Sequence, residues 1–181
     1  MSLSRHILGL FGWKVRITVP DYPKVIICVA PHTSNWDFIL GKLAYAAVGR
    51  KAGFLMKSDW FFFPMGAIFR AMGGIPVNRK GGYNESSVDN IINTFKTHDR
   101  LTLAITPEGT RSRTTKWRTG FLNIARLAEV PIVLGAIDAE SKTIIIEETF
   151  TPTGDNETDL RKIKDYYSQF KGINPENCTT E

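Results

Sequence analysis

The sequence predicts a single α/β domain: a mainly parallel, mixed sheet flanked by helices. Three observations predict it. Strand-length apolar runs alternate with segments of helical periodicity along most of the chain, the pattern of βαβ units. Val25-Ile26-Ile27-Cys28-Val29-Ala30 is apolar at every position, as expected of a strand covered on both faces. The chain has 181 residues, 43% of them hydrophobic, which suits one packed core and is short for two.

The elements follow in order. Leu3, Ile7, Leu10, Phe11 and Trp13 share one face of a short amphipathic helix at about 3–13, flanked by Arg5, Lys14 and Arg16. Such a helix either lies on anionic lipid or packs against the protein's own core. After the strand Val25–Ala30, Ser34 or Asn35 can cap a helix running to about Ala47. Gly53–Met56 reads as a short strand. Asp59 can cap a very apolar helix over Trp60–Met72, which Gly73-Gly74 ends, and Ile75–Val77 is again a strand. Val88, Ile91, Ile92 and Phe95 fall at i, i+3, i+4 and i+7, so Asn84–His98 is an amphipathic helix. Leu101–Ile105 is a strand, followed by the polar loop Thr106–Thr115. Phe121–Leu127 is helical, Pro131–Ile137 and Thr143–Ile146 are strands, and a charged helix closes the chain at about 158–170.

Composition excludes several classes. With 23% charged residues and no low-complexity run, the chain is not a disordered tail, a collagen-like repeat or a coiled coil. No stretch reaches the ~18 apolar residues of a membrane span, and the opening residues lack the apolar core and cleavage site of a signal peptide. Two cysteines, Cys28 and Cys178, are too few for a disulfide framework or a cysteine-based zinc site, and Cys28 sits in an apolar run as a small buried hydrophobe. The net charge of +5 is uneven, because residues 151–181 are net acidic and the rest is basic. The basic part suits an anionic partner: phosphate, nucleic acid or an acidic membrane surface. Nucleic acid fits poorly, since the aromatics cluster with aliphatics instead of interleaving with Lys and Arg.

Three polar clusters each follow a strand directly: His32 and Asp37 after Val25–Ala30, Asn78 and Arg79 after Ile75–Val77, and Glu108-Gly109-Thr110-Arg111 after Leu101–Ile105. Ligands bind at the carboxyl ends of strands in open parallel sheets, so parallel strands would bring all three to one edge. A carboxylate bonded to one imidazole nitrogen fixes the tautomer and leaves the other nitrogen free to take a proton. That is the chemistry that makes an alcohol nucleophilic, worth about 10²–10⁴ in rate. Arg111 offers a planar fork that matches phosphate. Glu108 can hold that arginine or bond a substrate hydroxyl, Gly109 allows backbone geometry other residues resist, and Arg79 can be a second phosphate ligand. Lys116 and Arg118 extend the basic loop.

In this order the clusters resemble the glycerolipid acyltransferase family, whose best-known members are the 1-acylglycerol-3-phosphate acyltransferases. His32-Thr33-Ser34-Asn35-Trp36-Asp37 resembles the family's H-x4-D motif, Gly74–Arg79 its second motif, Pro107-Glu108-Gly109-Thr110-Arg111-Ser112 its PEGTRS signature, and Val130–Gly135 its fourth. The resemblance spans about residues 25–140. It implies a single acyltransferase domain over 1–181 and acyl transfer from acyl-CoA or acyl-carrier protein to a hydroxyl of a phosphorylated glycerolipid. His32 would be the general base and Asp37 its orienting partner. Arg79, Glu108 and Arg111 would bind the acceptor, with Gly109 and Thr110 shaping that loop. No metal and no cofactor beyond the donor thioester are implied. Thr106 before Pro107, and Leu134 where a second proline is common, depart from the family pattern, as does the lack of a membrane span near the N-terminus.

Membrane contact would then be peripheral, placing the protein in the cytoplasm on the inner face of the membrane. The aromatic stretch Trp60–Phe69 would be an acyl-chain tunnel or a membrane-facing patch, or else a plain core helix. The competing function on the same fold is a lipid- or phosphate-binding module without catalysis.

Overall fold

The computed structural model describes residues 2–77 and 85–179. Seven strands form one sheet: β1 (Lys14–Ile17), β2 (Lys24–Val29), β3 (Gly53–Lys57), β4 (Gly74–Val77), β5 (Leu101–Ile105), β6 (Ile132–Asp138) and β7 (Thr143–Phe150). Their order across the sheet is β1-β7-β6-β2-β5-β3-β4. All pairings are parallel except β6 with β7, which run antiparallel with a register shift at Leu134/Gly135. Six helices flank the sheet: α1 (Leu3–Leu10), α2 (Trp36–Ala47), α3 (Met65–Ala71), α4 (Glu85–Thr97), α5 (Gly120–Ala128) and α6 (Asn156–Tyr167). The predicted α/β class and mainly parallel mixed sheet are what the structure has.

The alternation of β2 distributes the core. Ile26 and Cys28 point to one face, where Phe95 of α4, Leu122 of α5 and Tyr167 of α6 pack on them. Val25 and Ile27 point to the other, toward Tyr45 of α2. Both faces are covered, which is why the run carries no polar residue. Each fully buried Ile or Leu contributes roughly 1.5–3 kcal/mol. Leu8 of α1 and Leu40 and Ala44 of α2 close that second layer over Ile137 and Ile144.

Three elements differ from the sequence reading. The short strand β1 was not foreseen. It pairs with β7, Lys14 opposite Thr143 and Ile17 opposite Ile146, and only the long-range partner makes four residues a strand. The apolar helix predicted over Trp60–Met72 is broken. Ser58–Trp60 is a 3₁₀ turn, and helix resumes only at Met65. Pro64 is the reason: it donates no hydrogen bond and turns Phe63 away from helical geometry. Asp59 caps no long helix; its carboxylate pairs with Lys57 Nζ at 2.6 Å. Trp60, Phe62 and Phe63 are exposed, so this stretch is not a plain core helix. The closing helix starts two residues early and stops at Tyr167, because Asp155 accepts the N–H groups of Glu157 and Thr158. The N-terminal helix divides its apolar residues between both expectations: Leu8 is buried, while Leu3, Leu10 and Phe11 face outward.

Candidate active site

The site grows from two strand ends that the sheet makes neighbours. β2 and β5 pair in parallel with Cys28 opposite Ile105, so the loops leaving them emerge side by side. His32 lies on the first loop and Glu108 on the second. His32 donates its backbone N–H to Glu108 Oε1 at 2.8 Å, which ties the two loops together.

Within the first loop the chain folds back over the start of α2. Asp37, in the first turn of that helix, sends Oδ2 toward three donors: His32 Nδ1 at 3.1 Å, and the N–H groups of Thr33 and Ser34 at 2.8 Å each. Neither Ser34 nor Asn35 is a side-chain cap on N2 or N3, as expected from the sequence. Ser34 Oγ accepts only from Trp36 N–H, and Asn35 makes no cap bond. The carboxylate at Asp37 does the work of a cap from inside the helix, because it satisfies N–H groups of the incoming loop. Its side chain is 2% exposed while that of His32 is 18% exposed. The imidazole is therefore steadied from beneath at Nδ1, and Nε2 is left for a substrate.

Glu108 departs from its predicted role. It is buried, and its carboxylate serves the main chain at His32 instead of Arg111 or solvent. Burial pushes its carboxyl up to about 7, opposed by the bond from His32 and aided by the charge of Asp37. Gly109 has φ +67, and a Cβ there would fall 2.8 Å from Arg118 Nε, so both its backbone and the arginine lying across it require glycine. Thr110 Oγ1 accepts from Ser112 N–H, a turn that shapes the loop. Arg111 is exposed, and its Nη1 donates to Asn35 Oδ1. The structure thus brings His32, Asp37, Glu108, Gly109, Thr110 and Arg111 to one rim. Arg79 lies outside the described residues.

A cavity of about 1570 Å³ opens at this rim. His32, Asn35, Arg111 and Arg118 line its polar mouth, and Ile27, Tyr45, Phe54 and Ile146 line its apolar depth under α2. Sequence reasoning missed Asn35, whose only signal was its place between His32 and Asp37. It also missed Lys42, in the cavity wall. Burial lowers the Lys42 ammonium below its ordinary value, and Nζ donates to Ala52 O and Met72 O at 2.8 Å each, bracing α2 against the sheet edge. Cys28 is buried, and burial pushes its thiol far up, so it is not a nucleophile. Cys178 packs near this loop, partly buried, its thiol also raised by burial. Among the described residues, no group of three or more His, Cys, Asp and Glu is placed to hold a metal ion, and no helix is long and apolar enough to cross a membrane.

A family model described as Acyltransferase matches residues 15–137, more than half of the chain. A search of curated proteins gives no match. The matched region includes β2, β4 and β5, the strands whose carboxyl ends bear the three predicted clusters. Since that match runs through each of those strands and the loops that follow them, the chain belongs to the acyltransferase family and is a transferase of acyl groups.

Proposed function

We propose that the chain is an O-acyltransferase that moves a fatty acyl group from acyl-CoA or acyl-carrier protein to a phosphorylated glycerolipid, converting 1-acylglycerol-3-phosphate to phosphatidate. The observation that carries this reading is the bond between His32 Nδ1 and Asp37 Oδ2, at the mouth of a cavity whose rim bears Arg111. His32 Nε2 takes the proton of the acceptor hydroxyl as its oxygen attacks the thioester carbonyl. The C–S bond of the tetrahedral adduct then breaks, and the leaving thiolate recovers the proton from the imidazolium. Arg111, held by Asn35, binds the acceptor phosphate, and Arg79 is the second ligand that the family resemblance assigns. The apolar depth of the cavity takes the acyl chain. No cofactor or metal enters the reaction.

The acceptor is a lipid, so the protein works at a membrane, peripherally and on its inner face. Exposed Leu3, Leu10 and Phe11, with Trp60, Phe62 and Phe63, supply the apolar contact, and the basic balance of residues 1–150 favours anionic lipid. The test is a product assay by mass spectrometry with acyl-CoA and acyl-carrier protein as donors and a panel of phosphorylated and non-phosphorylated acceptors. Phosphatidate formation that disappears in His32→Ala is the expected result. Turnover at the wild-type rate in His32→Ala would remove the general base, and product from non-phosphorylated acceptors alone would replace the substrate class.

A further inference from the structure

The chain beyond α6 returns to the catalytic loop. Thr33, between His32 and Ser34, is 2% exposed and gives its N–H to Asp37 Oδ2. Its other two polar groups go to Asn174. Asn174 Nδ2 donates to Thr33 O at 2.7 Å, and the backbone N–H of Asn174 donates to Thr33 Oγ1 at 3.1 Å. Gly172 lies flat against the same residue, and a Cβ there would fall 2.6 Å from Thr33 Oγ1. Every polar group of Thr33 is thus held either by Asp37 or by this segment.

The segment is itself anchored on both sides of the site. Lys171 N–H donates to Asp138 Oδ1 at 3.1 Å, and Ala139 N–H donates to Lys171 O at 2.8 Å, fixing it to the end of β6. At its far end Trp117 Nε1 donates to Thr179 O at 3.1 Å, and Thr179 Oγ1 donates to Thr114 O. It therefore spans the loop of His32 and Asp37 and the loop that follows Arg111. It also lies beyond residues 15–137, where the family match ends.

We infer that residues 171–179 form a strap that positions the catalytic dyad, with Asn174 as the positioning residue acting through Thr33. This rests on the general-base reading of His32. The Thr33 peptide links the imidazole to the carboxylate: its N–H bonds Asp37 and its C=O bonds Asn174. Releasing the C=O lets that peptide rotate, which costs Asp37 a donor and lets the imidazole leave Oδ2. Substrate contacts at Arg111 and in the cavity are not touched. The effect thus falls on turnover and not on substrate affinity.

The test compares wild type, Asn174→Ala and His32→Ala with palmitoyl-CoA and 1-oleoyl-lysophosphatidate. Asn174→Ala should lower kcat by about 10- to 100-fold, with KM for both substrates within about twofold. A second readout needs no turnover. In ¹⁵N-histidine-labelled protein, the His32 signals, assigned by their loss in His32→Ala, report which ring nitrogen carries the proton. Wild type should show the proton on Nδ1, and Asn174→Ala should move toward a mixture of tautomers. Wild-type kcat in Asn174→Ala, a rise in KM alone, or an unchanged tautomer would each overturn the inference. If Asn174→Ala does not fold, Thr33→Val, which deletes the hydroxyl that Asn174 N–H bonds, carries the same two readouts. Should wild type make no phosphatidate, the proposed function fails, and the imidazole spectrum still decides whether the strap positions His32.

Discussion

Glu108 Oε1 accepts the backbone N–H of His32 at 2.8 Å, from a side chain that is only 4% exposed. One carboxylate thus joins the loop after β2 to the loop after β5, and the general base and the phosphate-binding arginine are set by a common bond. The bond is made in a desolvated pocket, and this has a consequence for stability.

The Glu108 carboxyl is raised from 4.5 to about 7, so between those values the folded protein holds a proton that the unfolded chain has released. The stability this group contributes is full below about pH 4.5 and is lost as pH rises through about 7. Glu108→Gln still accepts the His32 N–H through its amide oxygen and does not titrate there. Relative to the variant, wild type should lose up to about 3 kcal/mol across that window. Urea denaturation at stepped pH measures it, and parallel curves would show that burial does not hold the proton.

Arg111 and Asn35 should separate by size of effect. Arg111→Ala removes the phosphate fork and should raise KM for a phosphorylated acceptor on the order of 10-fold or more. Asn35→Ala leaves the guanidinium in place but unheld at its Nη1, so the same KM should rise by less. Steady-state kinetics with lysophosphatidate checks both; equal effects would mean that Asn35 touches the acceptor itself.

Gly41 lies within α2, lines the cavity and has nothing within 4 Å of where a Cβ would stand. Gly41→Ala should stabilise the protein by roughly 0.5–1 kcal/mol, since alanine loses less freedom on entering a helix. Gly41→Phe should instead fill the cavity and shift donor preference toward shorter acyl chains. Thermal unfolding and competition between acyl-CoAs of different length read the two effects. An unshifted preference in Gly41→Phe would place the acyl chain elsewhere.

Leu10 is 84% and Phe63 90% exposed. Charging them with Leu10→Glu and Phe63→Glu should weaken sedimentation with anionic vesicles and leave stability within about 0.5 kcal/mol of wild type. Vesicle binding equal to wild type would remove these residues from the membrane contact.

Much of the fold was readable because its signals are local. The unbroken apolar run of β2 and the i, i+3, i+4, i+7 pattern of α4 report burial through neighbours a few residues away. The stretch 60–72 misled for an equally local reason: its apolar density suggested a buried helix, while Pro64 interrupted it and left Phe62 and Phe63 outside.

The sequence by itself determined the α/β class, the strand ends that carry the site, and the identity of His32, Asp37 and Arg111 as its chemical groups. Residue type and periodicity suffice for that, since a strand's hydrophobicity and an imidazole's chemistry travel with the residue. Tertiary structure alone decided who holds whom. Glu108 turned from the substrate side to the His32 main chain, and Asn174 reached back 141 positions to Thr33. Hydrogen bonds between residues so far apart in the chain depend on sheet order and backbone direction, and no local pattern encodes them.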